Sequence, residues 1–102
     1  MNGNMTINYN FEWDPNKANE NRQKHAVTFD EAATVFKDSK ALSIYDTDHS
    51  KDEDRWLTLG ISEKGRILVV AHTFREERDD FVIIRIISSR KATKQELVSY
   101  GE

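Results

Sequence analysis

The sequence predicts an α+β domain in which two N-terminal helices pack on a mainly antiparallel sheet of four to five strands, followed by a short C-terminal helix. Three observations lead there. Apolar residues recur at helical spacing only before residue 37 and after residue 93. Between these regions the pattern changes to short runs rich in β-branched residues. The connections between those runs are too short for the crossovers that parallel strands need.

Each element follows from local chemistry. Ile7 to Trp13 alternates loosely and reads as a short edge strand. Asp14-Pro15, with the only proline of the chain, supplies an N-cap and a first helical residue whose φ is already set. The helix runs to about His25, with Ala18, Asn21, Arg22 and His25 on one face. Thr28 to Glu31 fits a capping box, and Phe29, Ala32, Ala33 and Phe36 give a second helix its apolar face. Strands follow over 41–45, 55–61, 67–74 and 81–88, with Ser62-Glu63-Lys64-Gly65 as a tight hairpin turn. Thr93 and Glu96 repeat the capping box and open a helix that ends near Tyr100. The first two helices are expected on one face of the sheet, leaving the other partly open to a ligand.

The 102 residues suit one domain, expected over 9–102 with residues 1–8 as a flexible N-terminus. There is no cysteine, which removes disulfides, thiolate metal sites and thiol nucleophiles. The longest apolar run, Phe81 to Ile84, is far too short to span a bilayer. Met1 to Asn10 lacks the basic start and apolar stretch of a secretion signal, so a cytoplasmic protein is expected. The net charge of −3 argues against a general nucleic-acid binder. Its distribution is less simple, because six of the seven arginines fall between Arg55 and Arg90. Arginine makes forked contacts to phosphate, although solvated surface charge is the commoner reason for such residues.

Most candidate chemistry fails on spacing. The acidic stretch from Asp46 to Asp54 alternates like a calcium loop, but Lys51 stands where glycine is required and Leu57 where glutamate is. No metal site is expected. His25, His49 and His72 have no zinc-helix spacing, and taken singly each reads as a surface or hydrogen-bonded histidine. Ser88 and Ser89 lack the glycine elbow of a serine hydrolase. The four glycines are isolated, so there is no phosphate-binding glycine loop. The arginines are more informative. If the strands are hairpin neighbours, Arg55, Arg75 and Arg85 converge on one sheet face. Arg85, between Ile84 and Ile86, needs an anionic partner. That partner is either a carboxylate such as Glu53 or a substrate phosphate, and on this ground alone the structural pairing is the commoner outcome.

The order of motifs adds a resemblance. Phe11-Glu12-Trp13-Asp14-Pro15-Asn16-Lys17-Ala18, then Asn21 and Lys24-His25, resembles the opening of BrnT toxins. The match continues through Val27 to Ala32, Val35-Phe36, Asp38, Glu53, Arg55, Gly60, Gly65-Arg66, Leu68 to Val70, His72-Thr73 and Arg75. Ile84 to Ser88, Arg90 to Thr93, Glu96 and Tyr100 close it, so that it covers roughly residues 9–100. Several blocks in one order are far more specific than a single motif. There are departures. Ala26 stands where the family commonly has glycine, Ser89 replaces a frequent alanine, and Leu97 a basic residue. Phe74 to Phe81 looks like a longer and more acidic loop than usual.

The resemblance implies a RelE-like fold and a toxin that cleaves cellular RNA. It also implies a cognate antitoxin of the BrnA type, through which alone the toxin meets operator DNA. A toxin dimer within that complex is a further expectation. RNA cleavage without metal or other cofactor requires a base, an acid and charge stabilisation while the ribose 2′-hydroxyl attacks the adjacent phosphate. Arg75 and Arg85 are the expected phosphate ligands. Arg55 shares that work or pairs with Glu53. Glu53, Lys24 and His25 are the candidates for proton transfer, and Arg90 either contacts RNA or caps the sheet edge. The rival expectation is a binding module that has lost catalysis and acts as corepressor with the antitoxin.

Overall fold

In the computed structural model, which describes residues 7–101, helix α1 (Pro15–His25) begins as the sequence predicts. The Asp14 side chain accepts a hydrogen bond from the Asn16 amide, and Pro15 opens the helix. The helix ends at Ala26, whose φ of 58° is left-handed. Glycine adopts that conformation without the steric cost that the alanine Cβ brings.

The one buried residue of α1 is Asn21. Its carboxamide donates to the carbonyls of Val27 (3.0 Å) and Ser89 (2.9 Å) and accepts from the Ser89 amide (3.0 Å). Both of its amide hydrogens and one carbonyl lone pair are therefore spent on backbone, which fixes the helix against the sheet.

Helix α2 (Phe29–Thr34) gives way to a 3-10 turn (Val35–Lys37), so Phe36 projects from a tighter turn than an α-helix would give. Thr28 caps α2 by accepting from the Glu31 amide at 3.1 Å. The expected capping box is only half formed. The Glu31 carboxylate turns away and is buried, receiving a forked pair of bonds from Arg66 and a bond from the Ser62 hydroxyl at 2.7 Å. The stronger partner displaces the local one. Glu31 is thereby held below the usual carboxylate range, first by the Arg66 hydrogen bond, against the opposing effect of burial.

The five strands are β1 (Asn8–Glu12), β2 (Leu42–Tyr45), β3 (Trp56–Ile61), β4 (Ile67–Arg78) and β5 (Phe81–Lys91), in the order β1-β5-β4-β3-β2. From β2 to β5 the sheet is the antiparallel meander that the short connections require. The turn after β3 closes with Ser62 and Gly65, whose φ of +81° suits glycine. The sheet as a whole is mixed, because β1 runs parallel to β5. Loop length constrains neighbours in sequence and says nothing about a strand joined to its partner through the rest of the chain. Asn8, at the end of the segment 1–8 expected to be flexible, pairs with Phe81, and residues 1–6 of that segment lie outside the described residues. Nor is Phe74 to Phe81 a long acidic loop. β4 continues to Arg78, and only Asp79 and Asp80 form the turn.

One face of the sheet carries the core. Leu68, Val70, Val82, Ile84 and Ile86 pack under Val27, Phe29, Ala32 and Val35. Gly60 lies there too, where a Cβ would come within 2.9 Å of Val35. Helix α3 (Lys94–Tyr100), with the complete capping box predicted for Thr93 and Glu96, lies near β3, where Glu96 and Ser99 border the second face. The rest of that face is uncovered. No helix among the described residues is long and apolar enough to cross a membrane.

Ala26→Gly is expected to raise unfolding free energy by about 1 kcal/mol by removing the left-handed strain. A urea midpoint equal to or below that of the parent would contradict it. Asn21→Ala is expected to cost about 3 kcal/mol, because buried backbone groups of Ser89 and Val27 lose their partners. A change under about 1 kcal/mol in the same titration would show that water replaces the carboxamide.

Candidate active site

The register of the sheet puts a polar row on the open face. Trp56 lies opposite His72, which places Arg55 beside Thr73, and Thr73 lies opposite Arg85. On the far side of Arg85 is Glu12 of β1. Glu12, Arg85, Thr73 and Arg55 thus run across four strands.

The segment between β2 and β3 folds back on itself to complete the row. The Asp46 amide donates to the Arg55 carbonyl at 2.8 Å. The Ser50 hydroxyl donates to the Asp46 carbonyl at 2.6 Å and accepts from the Arg55 amide at 3.0 Å. Tyr45 donates to Asp54 at 2.8 Å. This closed loop holds Glu53 over the sheet. Arg85 donates to the Glu53 carboxylate, and an Arg55 guanidinium nitrogen lies 3.7 Å from the same oxygen. Both ion pairs are part-exposed, and such pairs contribute about 0–1 kcal/mol. The Arg55 Nε is different. It is buried and has no hydrogen-bond partner among the described residues.

Arg75 lies on the same face, two residues along β4 from Thr73, but its guanidinium bonds to Glu77 at 3.0 and 3.3 Å. The structure therefore joins Arg55 and Arg85 through Glu53 and leaves Arg75 beside them with another partner. Lys24 and His25 sit elsewhere, in the last turn of α1, where the negative end of the helix favours cations. With Lys17, Glu20, Ile87 and Ser88 they line an open groove of about 250 Å³. Ile87 is two residues beyond Arg85 on β5, about 7 Å along the strand. Arg90 forms a forked pair with Glu96 at 2.8 and 3.0 Å and so braces α3 against the end of β5. The Arg90 bond is the first reason that the Glu96 carboxyl is lowered to about 2, and the Thr93 amide adds to it. Among the described residues, no group of three or more His, Asp or Glu side chains is placed to hold a metal ion.

Two groupings of residues were not assembled from the sequence. Glu12 and Thr73 enter the row only through sheet register, and the parallel pairing of β1 left no local trace. Ser43, Trp56, His72 and Phe74 line a second groove on the helix-bearing face. Strand alternation around Val70 was the available signal for His72 and Phe74.

These features define a small α+β protein with a compact arginine–carboxylate site on an otherwise uncovered sheet face. The family model described as the ribonuclease toxin, BrnT, of type II toxin–antitoxin systems matches residues 13–96, and the chain belongs to that family. The crystal structure of the Brucella abortus ribonuclease toxin BrnT matches with a TM-score of 0.55 at 22% identity, covering 89% of this chain and all of that one. At that identity the likeness establishes a shared fold. No curated protein matches the chain. As a type II toxin family, it implies an antitoxin partner.

The Glu96 carboxyl lies below its ordinary 4.5 when folded, so its contribution is complete above that pH and is lost as pH falls toward about 2. The stability gap between the parent and Glu96→Gln is therefore expected to narrow on acidification below about pH 4.5. Chemical denaturation across that range checks this, and a gap constant with pH would contradict it.

Proposed function

We propose that this protein is an endoribonuclease toxin that cleaves cellular RNA without metal, in the cytoplasm, and is neutralised by a cognate antitoxin of the BrnA kind. The carrying observation is the pairing of Arg55 and Arg85 on one carboxylate, while the buried Arg55 Nε lacks an acceptor among the described residues. Two guanidinium groups held by a weak, part-exposed ion pair, with a donor to spare, suit a phosphate that enters beside Glu53.

In the proposed reaction Glu53 takes the proton of the ribose 2′-hydroxyl. The 2′-oxygen bonds to phosphorus, and the bond from phosphorus to the 5′-oxygen breaks, leaving a 2′,3′-cyclic phosphate. Arg55 and Arg85 stabilise the charge of the pentacovalent state. Arg75 joins them once it leaves Glu77. The departing 5′-oxygen receives a proton from the groove of Lys24 and His25, which continues the site along β5. Arg90 extends the basic line at the far end of that strand. A RelE-like architecture agrees with this division of work between a sheet face and helix α1.

Exposed apolar surface supports the protein partner. Ile44, 61% exposed, lines a cavity of about 180 Å³ with Leu42, Leu57, Leu59 and Val69, and Val98 on α3 is 73% exposed. An acidic toxin reaches operator DNA through its antitoxin, and the open edge of β2 suits a toxin dimer within that complex. A second reading, a corepressor without catalysis, has one observation in its favour: Glu53 already occupies the arginines.

Incubation of antitoxin-free protein with RNA in excess EDTA is expected to give cyclic-phosphate ends. Arg85→Ala is expected to slow cleavage at least about 100-fold while leaving the fold intact. Glu53→Gln should lose a similar factor if it is the base. Faster cleavage by Glu53→Gln would make Glu53 a plug, and no cleavage by folded parent protein would favour the corepressor.

A further inference from the structure

The groove on the helix-bearing face is lined by Ser43, Trp56, His72 and Phe74 and has a volume of about 220 Å³. It is built from the same stretch of β3 and β4 as the arginine row, on the opposite face. Trp56 follows Arg55, and Phe74 lies between Thr73 and Arg75. β3 accompanies β4 only as far as His72, so β4 outruns its neighbour at this point. A strand of RNA crossing that end can leave a phosphate with Arg55 on one face and turn a base toward Trp56 on the other.

The walls are aromatic. Phe74 is 46% exposed, and the Trp56 ring is steadied by an edge contact from Tyr45 at 5.3 Å. The floor is His72, fixed by an edge contact with Phe36 at 4.8 Å and by bonds at both ring nitrogens. A flat, apolar slot between aromatic side chains suits an unpaired base, since every base has a stacking face.

The polar rim has a definite sense. The Thr73 carbonyl can only accept, so His72 Nδ1 carries hydrogen and donates to it at 3.0 Å. Burial lowers the His72 pKa and keeps the ring neutral, which leaves Nε2 an acceptor. The Thr58 hydroxyl must then donate to Nε2 at 2.7 Å. With its only hydrogen spent, Thr58 accepts from Ser43 at 2.8 Å. Ser43 in turn has spent its hydrogen and offers the groove lone pairs alone. The Thr73 carbonyl thus dictates, through three side chains, that the exposed hydroxyl is an acceptor.

We propose that the groove between Trp56 and Phe74 is a base-binding subsite of the RNA site, and that Ser43 makes it select bases bearing an exocyclic amino group. This rests on the ribonuclease reading for its substrate. Cytosine against uracil is the decisive pair. Stacking is similar for these two pyrimidines, but cytosine presents an amino donor where uracil presents a carbonyl, which would face the Ser43 lone pairs.

The test is binding of 2′-O-methyl homopolymers of cytosine, adenine and uracil, which cannot be cleaved through the blocked hydroxyl, followed by tryptophan fluorescence. Cytosine and adenine strands are expected to quench and to bind about fivefold more tightly than uracil strands. Trp56→Phe should abolish the quench while keeping the preference, which separates Trp56 from Trp13. Ser43→Ala should erase the cytosine–uracil gap, and Phe74→Ala should weaken all three strands about tenfold. Equal affinities, or a preference that survives Ser43→Ala, overturns the proposal. So does a groove that ignores RNA yet shields Trp56 when the antitoxin binds, which would make it a protein anchor. Binding to the blocked strands is read without cleavage, so a selective result stands even if ordinary RNA is not cut. Cleavage with unselective binding would leave the ribonuclease reading standing and remove the subsite.

Discussion

The open face depends on where β5 lies, and one carboxamide holds β5 where its neighbouring strand runs out. β1 accompanies β5 only from Phe81 to Arg85. Beyond that, Asn21 does at Ser89 what another strand would do, meeting both the amide and the carbonyl. The same side chain ties down Val27, the first residue of the core after α1. A helix that buries little apolar surface of its own is therefore anchored by polar contacts, and Lys24 and His25 are carried to the edge of β5 with it. Apolar packing is tolerant of small slides, whereas three directed hydrogen bonds to backbone are not.

The rest of the polar interior divides into structural and adaptable parts. Glu31, Arg66 and Ser62 form a closed set in which the carboxylate is nearly inaccessible, so removing one member strands a buried charge. Arg90 and Glu96 close the end of the chain in a similar way. Glu53, Arg55 and Arg85 share the chemistry of those pairs but lie toward solvent on a self-bonded loop. Burial of the carboxylate separates Glu31, which holds the fold, from Glu53, which a ligand can reach.

Much of this was legible in the sequence, and the unread parts have a common cause. Caps at Asp14, Thr28 and Thr93, the turn at Gly65 and the strand alternation are local signals, and each formed where local chemistry put it. Glu53, Arg55 and Arg85 came together because hairpin neighbours have a readable register. The parallel pairing of β1, the destination of the Glu31 carboxylate and the length of the β4–β5 hairpin depend on contacts between residues far apart in the chain. Acidic residues at 76–80 suggested a loop, yet the pairing of β4 with β5 outweighed their low strand propensity. Arg75 carried the right residue type on the right face, and only its neighbour Glu77 took it elsewhere.

The parallel pairing of β1 also bears on when the toxin becomes complete. β1 and α1 are synthesised first, but their partners on β5 lie 68 or more residues later in the chain. Until Phe81 to Ser89 has left the ribosome, the N-terminal strand has no edge to join and Asn21 has only Val27 to clasp. Closing so long a loop also carries an entropic cost that is repaid only when the last strand arrives. Arg85 itself lies on that strand. The open face therefore cannot assemble before β5 has been made. If the proposed arginine site cuts RNA, that topology keeps it incomplete until β5 has joined the sheet.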